Sequence, residues 1–122
     1  MNDMIEVKTA DLIGPALDWA VAKAEGMRQH TPDGLKHAYW YSGDRCIGTH
    51  WQPSTSWGQG GPLIEKYMPE FEVNHFNSMV WAFVQGSDLK SRGESHLIAA
   101  CRAIVAAKLG NTVSVPEELA KQ

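Results

Sequence analysis

An α+β domain, built as an antiparallel sheet with two main helices packed on it, is expected from the hydrophobic pattern. Helical spacing occurs near both ends of the chain, aromatic and β-branched runs lie between, and strand and helix signals do not alternate regularly. The missing alternation argues against a doubly wound nucleotide-binding sheet. With 122 residues, 43% hydrophobic and 20% charged, the chain fits one core. Residues 1–122 are therefore read as a single domain, with a flexible tail from about 116.

Thr9 is suited to cap a first turn in which Asp11 meets the positive helix end, but Gly14-Pro15 interrupts any continuous helix there. The first main helix restarts at Pro15. Leu17, Ala20, Val21 and Ala24 then share one stripe, with Asp18, Lys23 and Glu25 on other faces, and Gly26 supplies a left-handed stop. The ten residues that follow, including Thr31-Pro32-Asp33-Gly34, carry turn chemistry and read as a loop. His37 to Trp51 reads as a β-hairpin, with Tyr39-Trp40-Tyr41, a Ser42-Gly43-Asp44 turn, and then Cys46-Ile47, Thr49 and Trp51.

Further strand signals run from about Phe71 to Phe76 and from Met79 to Val84. The unbroken second run suggests burial on both faces, and Gly86 with the polar 87–93 stretch ends it. Ser95 caps the second main helix, in which eleven of the thirteen residues 97–109 are apolar. Such a helix must be covered on several sides, by the sheet and first helix or by a second subunit. Gly110-Asn111 stops it, Thr112 to Val115 is extended, and Pro116 begins the polar tail.

Eleven Lys and Arg against fourteen Asp and Glu give a net charge of -3, which disfavours holding a phosphate backbone nonspecifically. The longest strongly apolar run, Leu97 to Leu109, is too short to cross a bilayer, and the N-terminal residues lack the basic and apolar regions of a secretory signal. A cytoplasmic protein without membrane attachment is expected. Cys46 and Cys101 form no CxxC pair, and the histidines at 30, 37, 50, 75 and 96 show no metal-ligand spacing. No GxSxG elbow is present, and Glu65, Glu70 and Glu72 read as solvated carboxylates, so neither catalysis nor a cofactor or metal is expected.

The least ordinary segment is Trp51 to Glu65, with three hydroxyls, two tryptophans and four glycine or proline positions between Gly58 and Pro62. Glycines allow close backbone approach to a ligand, and Pro62 suits the first position of a short helix whose free N–H groups face the loop. Ser54, Thr55, Trp57, Gln59, Gly60 and Gly61 are the candidate ligand-binding residues: Trp57 stacks, Gln59 reads an edge, and the two glycines donate N–H groups. The loop has no Lys or Arg, so Arg102 is the candidate for charge from elsewhere. The same glycines and proline equally suit a tight connection with Trp57 filling core volume.

Several pieces resemble the NinX-like family of phage and prophage proteins. They are Thr9 to Leu12 with Ala16 to Gly26, Pro53-Ser-Thr-Ser-Trp-Gly-Gln-Gly-Gly-Pro-Leu-Ile-Glu65, Leu97 to Gly110, and Val113 to Leu119. The Trp-x-Gln-Gly-Gly-Pro run is the most specific of them. Ser56 stands where such proteins usually carry an acidic residue before the tryptophan, and the aromatic hairpin and Glu70 to Asn77 are less typical. The resemblance implies a phage-encoded accessory protein of the bacterial cytoplasm, and brings no activity or cofactor with it. Two functions are then weighed. One is a non-enzymatic homo-oligomer that sequesters a small polar ligand, such as a nucleotide-derived defence signal of the host. The other is an adaptor or inhibitor that binds a host protein through Tyr39, Tyr41 and Trp51.

Overall fold

A computed structural model describes residues 3–31 and 38–120. The Pro32-Asp33-Gly34 part of the expected loop and His37 of the expected hairpin lie outside the described residues. The architecture is α+β, with three small antiparallel sheets where one was expected.

Strand β1 (Met4–Lys8), which the sequence reading missed, pairs along its whole length with β8 (Thr112–Pro116), setting Ile5 opposite Val115 and Val7 opposite Val113. Thr9 does not cap a helix. It opens a short 3-10 turn, Thr9–Asp11, and is buried, with its hydroxyl donating to Gly110 O at 2.6 Å and its N–H to Asn111 O at 2.7 Å. One residue thereby satisfies two carbonyls beyond the end of the last long helix.

Helix α1 (Gly14–Ala24) has Pro15 in its first turn and ends before Gly26, whose φ of 73° is left-handed. Leu17, Ala20 and Val21 are fully buried as expected; Asp18, placed on another face by its spacing, is buried as well. Strand β2 (Arg28–His30), inside the segment read as loop, pairs with β3 (Tyr39–Ser42), which makes the expected hairpin with β4 (Arg45–Gly48) across Gly43-Asp44. The second arm stops at Gly48, so Thr49 and Trp51 leave the sheet and turn toward α1.

Helix α2 spans Trp57–Tyr67, so it begins five residues before the expected start at Pro62, which lies inside it. Three glycines and a proline lower intrinsic helix propensity, but packing overrides it. Built on Gly60, a Cβ would fall 2.4 Å from Pro53 O and 2.6 Å from a Leu97 methyl. Only glycine permits that approach. The far end of α2 is held to α1 by Lys66, 2.8 Å from Glu25, and by the Tyr67 hydroxyl donating to the same carboxylate.

The third sheet runs β5 (Glu70–Asn74), β6 (Met79–Phe83) and β7 (Ser91–Gly93) in that order; β7 lies in the stretch read as polar termination. Burial of β6 alternates, which corrects the expectation of two buried faces. Val80 and Ala82 enter the core, while Trp81 and Phe83 are half-buried beneath Arg92 and Lys90.

Helix α3 (His96–Leu109) starts at Ser95, whose hydroxyl accepts the Ile98 N–H at 3.1 Å. Eight of its residues are buried, and α1, α2, β6 and β7 of the same chain cover them. No second subunit is needed for that cover. After β8 the segment read as tail contains a four-residue helix, α4 (Glu117–Ala120), with Leu119 and Ala120 packed on the core. The main core gathers Leu12, Leu17, Val21, Ile104, Val105 and Val115, while Ala22, Met27 and Trp40 form a smaller cluster seating the β2–β4 sheet on α1. No helix among the described residues is long and apolar enough to cross a membrane.

Candidate functional site

Beside the smaller cluster, α1, the β2–β4 sheet and the 49–55 segment enclose a cleft of about 440 Å³. Its size is within the ~300–1,000 Å³ range of small-molecule sites, and its walls combine three indoles with polar side chains. Trp19 of α1, Trp40 of β3 and Trp51 supply the indoles; Gln29, His50 and Thr55 supply polar edges. Lys23 lies over the Trp19 ring at 5.2 Å, so that indole already carries a cation.

Asp18 is the one carboxylate lining the cleft, and no Lys or Arg lines it among the described residues. It is 5% exposed, and neither ion pair of the described residues includes it. One carboxylate oxygen accepts the Ser54 N–H at 2.9 Å. Burial raises the Asp18 pKa above its ordinary value of 3.8, and hydrogen bonding from Ser54 opposes the rise. The same environment pushes the buried Cys101 thiol up to about 12, by burial first and by the neighbouring Asp18 charge second. Cys101 is a core thiol, as its place in the helix suggested.

The sign of the Asp18 shift gives a measurable pH dependence. The native state holds this proton more firmly than the unfolded chain, so the group's contribution to stability is most favourable below pH 3.8 and declines as pH rises through the folded pKa. Asp18→Asn retains an acceptor for Ser54 and cannot titrate. Urea midpoints are therefore expected to fall in the wild type relative to Asp18→Asn as pH rises through this interval, and to run parallel above it. Curves parallel throughout would show that folding leaves the pKa of this carboxylate unchanged.

The wall containing Trp51 is braced from α2. Gln59 Oε1 accepts the Gln52 N–H at 2.6 Å and its Nε2 donates to His50 O at 2.7 Å. The Thr55 and Ser56 N–H groups both return to Gln52 O, at 3.1 and 2.8 Å, and Pro53 is fully buried beneath. One polar atom within this wall, Trp51 Nε1, is buried without a hydrogen-bond partner among the described residues, whereas the Ser54 hydroxyl faces the Asp18 carboxylate. Buried polar groups without a partner are uncommon in folded proteins.

The sequence-derived candidates separate on the structure. Thr55 lines the cleft, and Ser54, 2% exposed, sits behind it on Asp18. Gln59 supports the wall and does not line it. Trp57 opens α2 with 61% of its surface exposed, outside the cleft. The Gly60 N–H already donates to Ser56 O at 2.7 Å, and open space surrounds Gly61. Arg102 faces another part of the fold, where its Nε donates to Leu12 O at 2.8 Å and an Nη to Arg92 O at 2.7 Å. Tyr39 and Tyr41 are half-buried, with Arg28 stacked 4.6 Å over Tyr41.

Sequence reasoning missed Asp18, Trp19, Trp40 and His50 as site residues. The one available signal was Asp18 followed by Trp19 beside a buried stripe, and helical spacing alone put that aspartate on another face.

A family model described as Bacteriophage P22, NinX matches residues 8–108. The chain belongs to this phage family. The NinX match takes in α1, the β2–β4 sheet, α2, β5 to β7 and nearly all of α3, and so covers every cleft residue except Leu119 of α4. No curated protein matches the chain. Among the described residues no group of three or more His, Cys, Asp or Glu side chains is arranged to hold a metal ion.

Proposed function

We propose that this phage protein is a non-enzymatic accessory protein of the host cytoplasm that binds a small polar ligand, nucleotide-derived, in the tryptophan cleft. The observation that carries this reading is the convergence of Trp19, Trp40 and Trp51 on a cleft lined by a buried carboxylate, with no Lys or Arg in the lining among the described residues. Indole faces stack flat rings, and a few fixed polar groups orient them. Two of its polar side chains, Thr49 and His50, bond each other, with Oγ1 and Nδ1 3.1 Å apart. A protein partner engaged through Tyr39, Tyr41 and Trp51 has less support, since Trp51 forms a cleft wall and both tyrosines are half-buried.

Tryptophan fluorescence and thermal shift against nucleobases, nucleosides, nucleotides and cyclic dinucleotides test this reading. At least one compound is expected to quench the indoles and raise Tm. Trp51→Ala is expected to abolish both signals, and Trp57→Ala to leave them intact. A ligand that requires Trp57 and ignores Trp51 would move the site to the start of α2, and silence across the panel would end the small-molecule reading.

A further inference from the structure

We infer that the cleft selects its ligand by an N–H donor on a flat heterocycle, as on an amino-substituted nucleobase, which Asp18 accepts while any phosphate remains outside. The inference rests on the reading of the cleft as a ligand site and adds the class of group that enters it. An ionised carboxylate only accepts hydrogen bonds, and one lone pair of Asp18 is occupied by the Ser54 N–H. Asp18 also lines an aromatic cleft in which, among the described residues, no Lys or Arg side chain takes part. A ligand N–H entering the cleft can be accepted there in place of water.

A phosphate in the same place would meet a like charge, with no Lys or Arg among the described lining residues to offset it. Indole faces stack planar heterocycles, and an electron-poor or protonated ring gains cation–π attraction in addition. The cleft volume of about 440 Å³ is enough for a base with its sugar. Burial also raises the carboxyl pKa, and hydrogen bonding to the charged form would counter that rise.

Fluorescence titrations of the intact chain with two matched pairs test the inference, adenosine against purine riboside and guanosine against inosine. Each pair differs by one exocyclic amino group. In at least one pair the amino-bearing member is expected to bind about tenfold tighter or more, as when a site built for a hydrogen bond meets an analogue lacking it. A 5′-phosphate on the preferred nucleoside is expected not to strengthen binding. Asp18→Asn, which keeps an acceptor for Ser54 but presents amide donors, is expected to level the pair while its melting curve reports folding. The wild-type pairs carry the test even if that variant does not fold. Trp51-dependent binding with both pairs equal, or tightened by phosphate, would overturn the donor inference and leave the cleft reading standing. No Trp51-dependent binding by any compound would overturn both.

Discussion

Gly60→Ala is expected to lower stability by about 3 kcal/mol, at the upper end of overpacking costs. The new methyl would meet Pro53 O at 2.4 Å and a Leu97 methyl at 2.6 Å. Leu97 can change rotamer, but the Pro53 carbonyl belongs to a backbone fixed on both sides by a buried ring and by the Ser54–Asp18 hydrogen bond. Relief would require α2 to lift from α3. The control is the next residue, since nothing lies within 4 Å of a Cβ at Gly61. Gly61→Ala is expected to be neutral or to gain roughly 0.5–1 kcal/mol from reduced freedom of the unfolded chain. Urea unfolding of both variants decides the matter, and equal midpoints would show that the glycines serve no packing purpose. Because the 50–53 backbone forms the cleft wall, Gly60→Ala should also weaken any Trp51-dependent ligand even where the fold survives.

Arg102→Met is expected to cost about 1.5–3 kcal/mol, the range for hydrogen bonds made by a charged group. Methionine preserves much of the aliphatic stem, so the loss isolates the guanidinium, which ties the Leu12 carbonyl to that of Arg92 from one side chain. Burial lowers the Arg102 pKa, and Asp11 and Glu94 oppose the fall, so the group remains charged in the native state. Arg102→Lys should recover little, because an ammonium lacks the planar fork that reaches two separated acceptors. Chemical denaturation measures both variants. A methionine variant as stable as wild type would mean that these carbonyls are hydrated and the guanidinium is dispensable. Ligand affinity should be unaffected by Arg102→Met at a concentration where the protein is folded, since Arg102 does not line the cleft.

What could be read from the sequence was governed by short-range chemistry. Ser95 announces α3 because a hydroxyl before an apolar run satisfies a free N–H, and Gly43-Asp44 announces the hairpin because a two-residue turn needs a residue with positive φ. Features set by distant residues were not legible. β1 holds only two apolar residues at strand spacing, and its partner begins 104 residues later at Thr112, counted from Lys8. α2 looked like a loop because glycine and proline speak against helix locally, while the reason for Gly60 is Leu97 and Pro53. Asp18 was put on another face because its burial depends on the Ser54 N–H, 36 residues away. The cleft combines these failures, since its walls come from α1, β2, β3, the 49–55 segment and α4.

The clasp of β1 on β8 also affects the order in which the protein can form. During synthesis Met4–Lys8 is made well before its hydrogen-bonding partner, which does not exist until residues 112–116 have been added. Thr9 waits in the same way for Gly110 and Asn111. α1 and the hairpin can therefore assemble on the emerging chain, whereas the strand ahead of them keeps an unpaired edge open to other chains through most of translation. Closing that long loop carries an entropic cost, and until it closes the strand edge is open to pairing with other chains.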